Sequence, residues 1–261
     1  MSLHLAGIVP VVTKSMNFQL DWHDCLMPIA PNFYAIERAV LECAYAGCNN
    51  IWIVANDDTT RFPSQQRRPI PIFYVPMATK HENKRNCISW TVLFGAKTSL
   101  EIGGTISKWI NPERFYVSFP YSVYPPEILR PSRLSISKDI NFALTHGEQS
   151  FKTNDMLGFT FNKEQMIKIM DVFRETENSF LLGDNLSNEE TFFENKFSLD
   201  KTFGCVIIDI DEGLSVPWYY PIDSWNAYCK YMAFDGKSSI RHPGRLVMSY
   251  REWNPVGENN E

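Results

Sequence analysis

The first half of the chain reads as short apolar runs separated by helix-period stretches. HLAGIVPVV at 4–12 is apolar and β-branched with Gly7 and Pro10 inside it, which predicts a buried strand emptying into a loop. Pro31 and Asn32 then offer a helix start. Phe33, Ile36, Val40 and Ala44 recur at three- and four-residue spacing until Gly47 supplies a stop. NIWIVA at 50–55 is a continuous apolar run of the kind carried by parallel strands covered on both faces, and it completes a βαβ unit. PIPIFYVPM at 69–77 reads as a strand whose prolines confine it to an edge. CISWTVLFGAKTSLEIG at 87–103, with Ile88, Val92, Ala96 and Leu100 on one face, predicts a helix feeding a strand in RFYVSFPYSVYPP at 114–126.

The second half is less regular. GFTF at 158–161 predicts a short strand, KEQMIKIMDVFRET at 163–176 a helix and GCVIIDID at 204–211 another strand. DSWNAYCKYMAF at 223–234 predicts a helix opened by Asp223 or Ser224 as its cap. Strands alternating with helices imply an α/β fold with a mostly parallel sheet and helices on both faces. Strands near 5–11, 50–55 and 115–119 are expected to be parallel neighbours. No repeat or linker divides the chain, so one domain spanning 1–261 is expected, with a loose polar tail from about 252.

Composition narrows the classes. At 261 residues and 44% hydrophobic the chain can bury a full core, and its net charge of −5 opposes broad attachment to nucleic acid or to an anionic membrane. The first twenty residues lack the pattern of a secretory signal and no segment is apolar enough to span a bilayer, so a cytoplasmic location is expected. Six cysteines without a CxxC or Cys/His cluster read as reduced core residues.

LAG at 5–7, followed by LMPIAPNFYAIERAVLECAYAGCNNIWIVAND at 26–57, resembles the start of the sugar-1-phosphate nucleotidyltransferases, and PWYYPIDSWNAYCKYM at 217–232 resembles that family's late segment bearing a metal-binding aspartate. The resemblance implies a nucleotidyltransferase or glycosyltransferase-A-like fold with a cleft at the carboxyl ends of its strands. It further implies nucleotide contacts at Ala6, Gly7, Asn56 and Asp57, and a catalytic, metal-holding role for Asp223. Mg2+ or Mn2+ would be the cofactor, and a nucleotide or nucleotide sugar the partner. The overall look of the chain, including the loop after Gly7, is similar to nucleotidyltransferase-like proteins encoded by tailed phages.

The chemistry departs from the family's in three places. Gly7 is followed by IVPVVTKSM rather than a loop rich in glycine and bearing an arginine; the turn's lysine falls at Asp24; and the strand that should end in Gly-Asp carries Pro120 or Tyr121 there. Phosphoryl transfer depends on charge neutralisation and positioning, so weak or rebuilt catalysis is expected, with Lys14, Arg61, Arg67 and Arg68 as candidate replacement cations. Asp209 and Asp211 in IIDIDEG form a DxD pair, which suits a hard cation held with a diphosphate and points alternatively to a nucleotide-sugar-dependent glycosyltransferase. Strand ends entering turns also favour Asp, and Asp223 also fits a helix cap. A non-catalytic binding or scaffold protein on the same fold is the remaining alternative. KHENKR, RPSR and RHPGR read as solvated basic faces.

Overall fold

The structure is a computed structural model that describes residues 4–12, 18, 23–55, 70–76, 84, 86–105, 110–182, 193, 195–207 and 209–241. Its centre is a seven-stranded sheet. Leu5–Val11 (β1) pairs in parallel with Asn50–Ala55 (β4) on one side and Arg114–Val117 (β6) on the other, as the apolar runs predict. Ile72–Pro76 (β5) pairs with β4 and occupies the edge to which its prolines confine it. Beyond β6 the order continues through Phe159–Asn162 (β9) and Phe142–Thr145 (β8) to Glu212–Ser215 (β10). Only β9 among these seven runs against its neighbours.

Strand alternation divides the apolar residues into two cores. Leu5, Val9, Val11, Ile51, Ile53 and Tyr116 face helix Ala35–Ala46 (α1), while Ala6, Ile8, Trp52, Val54, Phe115 and Val117 join the core containing helix Ile88–Thr105 (α2) and helix Lys163–Leu182 (α4). Gly95 lets α2 lie close to the sheet, because a Cβ there would stand 2.5 Å from Val54 Cγ2. Arg133–Ile136 (α3) is a single turn, and its Ile136 is buried in the α1-side core.

Four details differ from the sequence expectation. Pro31 and Asn32 do not start the helix: they form the tip of a hairpin between Pro28–Ala30 (β2) and Phe33–Tyr34 (β3), with Asn32 at φ 56°, a left-handed conformation that asparagine tolerates. The helix begins at Ala35, where Glu37 Oε2 reaches back to accept from the Tyr34 amide at 3.0 Å. The described residues of GCVIIDID form no strand. Asp200–Gly204 forms a π-helical turn, the Ile207 amide donates to Phe203 O at 2.8 Å, and both side chains are buried one helical turn apart, so the run covers the sheet rather than joining it. After β6 the chain leaves the sheet and forms Ser122–Val123 (β7), which pairs antiparallel with Tyr220–Pro221 (β11). Lastly, β8 and β10 arise where no strand was anticipated.

Candidate functional site

Open α/β sheets bind ligands beyond the carboxyl ends of their strands, and here three distant segments meet at that end. The Val12 amide, just past β1, donates to Tyr121 Oη at 2.9 Å, and the Ile222 amide donates to Tyr121 O at 2.7 Å. His23 Nδ1 accepts from the Cys25 amide at 3.2 Å, which leaves the Nε2 hydrogen directed at Val12 O. Burial pushes the Tyr121 phenol well above its ordinary range, so it stays protonated beside the chain end it fixes. Asp24, in the place of the family's lysine, is buried at the start of a short helical turn.

Ile222 leads into Asp223 and helix Trp225–Ala233 (α5). Ser224 is the helix cap: its Oγ accepts from the Ala227 amide at 3.3 Å and donates to Asp223 Oδ1 at 3.1 Å. Asp223 is therefore not the cap, and its exposed carboxylate is available for another role. Three side chains of α5 bind the helix to the amino-terminal part of the chain. Trp225 Nε1 donates to Phe18 O at 3.2 Å, Tyr228 Oη to Pro28 O at 2.7 Å and Tyr231 Oη to Ile29 O at 2.6 Å.

Beneath this end lies a buried polar network that sequence reasoning missed. Glu42 accepts from Arg38 Nη1 at 2.6 Å, Tyr116 Oη at 2.7 Å, Ser118 Oγ at 2.7 Å and Tyr124 Oη at 2.8 Å. Arg38 Nη2 also donates to Phe119 O at 2.6 Å, and its guanidinium lies 4.4 Å from the Tyr124 ring centre. Burial drives both tyrosines well above their ordinary range, which keeps them as donors to the carboxylate. Gly158 makes the room: a Cβ there would stand 2.3 Å from Tyr116 Oη and 2.5 Å from Glu42 Oε1. The network fixes 118–124, the segment that leaves the sheet and carries Tyr121. A signal for it existed in Arg38 and Glu42, opposite charges four apart in a largely apolar helix, with Tyr116, Ser118 and Tyr124 close together in the later RFYVSFPYSVY run.

The sequence-derived candidates are placed apart. Ala6 and Gly7 lie inside β1, buried and paired with Asn50 and Ile51 on one side and with Phe115 and Tyr116 on the other. The strand continues four residues beyond Gly7, to Val11. Asn56 and Asp57 lie outside the described residues, as do Lys14, Arg61, Arg67 and Arg68. Asp209 and Asp211 are at the opposite, amino end of the sheet, where Asp211 Oδ2 accepts from the Asn141 amide at 2.6 Å and Asp209 O from Asn141 Nδ2 at 3.1 Å. These bonds pin the start of β10 to the start of β8. The DxD pair thus does not share an end of the sheet with Asp223. No group of three or more His, Cys, Asp or Glu that could hold a metal ion occurs among the described residues. Nor is any helix among them long and apolar enough to cross a membrane.

No family model matches the chain, and no curated protein matches it. Solved structures do. A Bacillus anthracis protein assigned as a glucose-1-phosphate thymidylyltransferase, in complex with a sucrose, superposes with TM-score 0.60 at 9% identity over 93% of this chain and 98% of that one. The UTP-bound UGPase from Acinetobacter baumannii gives TM-score 0.58 at 11% identity over 96% and 98%. A UDP-glucose pyrophosphorylase complexed with UDP-glucose gives 0.57 at 11% over 88% and 97%. The chain therefore has the fold of the sugar-1-phosphate nucleotidyltransferases, as the layout of LAG, LMPIAP and PWYYPIDSW led us to expect.

Proposed function

We propose that this chain binds a nucleotide or nucleotide sugar at the carboxyl ends of β1, β4 and β6, as a divergent nucleotidyltransferase-like protein with weak or rebuilt catalysis. The observation that carries the reading is the convergence of Val12, Tyr121 and Ile222, which ties the segment leading into the exposed Asp223 to the residue after β1, on a fold whose solved examples include a UTP complex and a UDP-glucose complex.

Asp223 is the one carboxylate of the three proposed metal ligands at that end. Mg2+ commonly uses one or two protein carboxylates and completes its shell with phosphate oxygens and water, so Asp223 fits a Mg2+ or Mn2+ ion that arrives with the ligand's phosphates. The ion would neutralise phosphate charge. Catalysis is expected to be weak because Asp24 puts a buried carboxylate where the family uses a lysine, and the strand supplying a second metal ligand leads here to Tyr121.

The test is thermal unfolding in the presence of nucleoside triphosphates and nucleotide sugars, with and without Mg2+ or Mn2+. A ligand present at about 100 times its dissociation constant stabilises by about 2.7 kcal/mol, a readily measured rise in midpoint. A metal-dependent rise in the parent that disappears in Asp223→Asn supports the reading. No rise with any nucleotide overturns it, and rapid pyrophosphate release from a nucleoside triphosphate and a sugar phosphate would overturn the weak-catalysis part alone.

A further inference from the structure

The glycine that resembles a nucleotide-loop residue faces something else. A Cβ built on Gly7 would stand 2.9 Å from Cys43 Sγ and 3.2 Å from Cys48 Sγ. Two thiols therefore occupy the space that a side chain in the middle of β1 would fill. A glycine inside a buried strand weakens the strand unless a close approach requires it, and here the close approach is to two sulfurs.

The way α1 ends brings the sulfurs together. Gly47 adopts φ 91° at the helix terminus, its amide donates to Ala44 O at 3.0 Å, and the Cys48 amide donates to Cys43 O at 3.1 Å. In this form of helix ending the residue after the left-handed position packs on the residue five earlier, a contact normally filled by two apolar side chains. Both positions here are cysteine, and both sulfurs close on the same point of β1. Cys25 and Cys87 are also buried as free thiols, whereas Cys205 and Cys229 are exposed.

We propose that Cys43 and Cys48 are a redox site of the fold: a dithiol that closes to an intramolecular disulfide across the end of α1 in exchange with a low-molecular-weight disulfide. Cys48 is 3% exposed and lies outside the helix, whereas Cys43 is 0% exposed. Burial also pushes the Cys43 thiol well above its ordinary range. Cys48 attacks first, when the last turn of the helix opens, forming a mixed disulfide and expelling one small thiol. Cys43 then displaces the second small thiol as the S–S bond between the two residues forms. The two cysteine protons leave on the two small thiols, the protein is oxidised by two electrons and the small disulfide is reduced by two. The ring closes on the helix that carries Arg38 and Glu42. The inference is independent of what the cleft binds.

The experiment uses the full chain, folded, incubated with oxidised glutathione, then denatured, alkylated and digested with trypsin. Cleavage after Arg38 and Arg61 places both cysteines on one peptide, 39–61. The expected product is that peptide about 2 Da lighter, free of alkylation and restored to a doubly alkylated form by prior dithiothreitol. Cys48→Ser should abolish it, and Gly7→Ala, which fills the space over the sulfurs, should reduce its yield several-fold. Alkylation of both cysteines in 39–61 while Cys205 and Cys229 have taken up glutathione would overturn the proposal. Glutathione retained on Cys43 or Cys48 without ring closure would overturn it as well. The wild-type peptide decides the matter even if a variant fails to fold.

Discussion

Two arginines are buried at opposite ends of the same sheet, and their surroundings differ. Arg38, at the carboxyl end, pairs with Glu42 where both side chains are 0% exposed. Arg114, the first residue of β6 at the amino end, pairs with Asp139 at 2.6 Å across a surface that leaves the carboxylate 73% exposed. Arg114 also donates to Ile140 O and to Thr160 Oγ1, stapling the starts of β6 and β8 to β9. Its charge drains to solvent. The Arg38 pair has no such outlet, and its compensation comes from three hydroxyls and a backbone carbonyl. An enclosed charge pair offsets its desolvation through matched polar atoms, here both Glu42 oxygens and both terminal nitrogens of Arg38 though not Arg38 Nε, so it demands a defined shape from the segment that supplies the partners. That segment is 118–124, which has left the regular sheet. The contrast teaches that strand starts are held by a loosely tied cation, whereas the irregular chain carrying Tyr121 is held by a closed network.

The largest effect should come from opening the closed network. Glu42→Ala strands the Arg38 guanidinium and three hydroxyls, and should cost about 3–5 kcal/mol in urea unfolding. The double variant Arg38→Met/Glu42→Leu should recover a large part of that loss. If it were worse than Glu42→Ala alone, charge compensation would not be what the network provides. Gly158→Ala, which forces a methyl against Tyr116 Oη and Glu42 Oε1, should cost about 1–3 kcal/mol.

At the open end the same measurement should barely move. Asp139→Asn should cost no more than about 1 kcal/mol, because the carboxylate is mostly in water. A cost like that of Glu42→Ala would erase the distinction between the two arginines. Asp223→Asn should change stability by only a few tenths of a kcal/mol, roughly, since Ser224 supplies the cap, so loss of nucleotide binding in that variant would report on the site alone.

The smallest expected effect is a pH dependence at the amino end. Trp52 Nε1 donates to Asn50 Oδ1 at 2.6 Å, which turns Asn50 Nδ2 toward His4 Nε2 at 3.1 Å and makes that ring nitrogen an acceptor. Burial lowers the His4 pKa below 6.5, opposed by the nearby Glu113. The unfolded chain then binds the proton more readily than the folded one. Stability should rise with pH through the window between the lowered folded value and 6.5, and be lost as pH falls through it. His4→Gln should flatten that slope in unfolding measured across the window; an unchanged slope would assign it to other groups.

β1, α1 and β4 were legible because every position of the two strands is buried and the helix between them is apolar at regular spacing. GCVIIDID misled because Phe203 and Ile207 bury themselves four residues apart in a helical turn, while the adjacent isoleucine and valine imitate a strand. Ser224 and Asp223 could not be ranked as caps from sequence, since either residue type serves and only the bond to the Ala227 amide decides. Arg38 and Glu42 carried a signal that pointed the wrong way. A charge pair four apart on a helix looks solvated until α1 is seen to be covered on its outer side as well, by 126–136 and the hairpin. Gly7 lies within β1, whose extent of 5–11 the apolar run already indicated.

Tyr228 binds a carbonyl 200 residues earlier, Tyr231 one 202 residues earlier and Trp225 one 207 residues earlier. On the ribosome the βαβ unit made by β1, α1 and β4 emerges first, and its hairpin must wait for nearly the whole of the remaining chain before α5 covers it. Contacts of such separation are the last to form and the slowest to nucleate. Met27 and Ile29, buried in the finished protein, remain in water for that interval. The hairpin is therefore the part of the amino-terminal unit whose apolar residues are covered last.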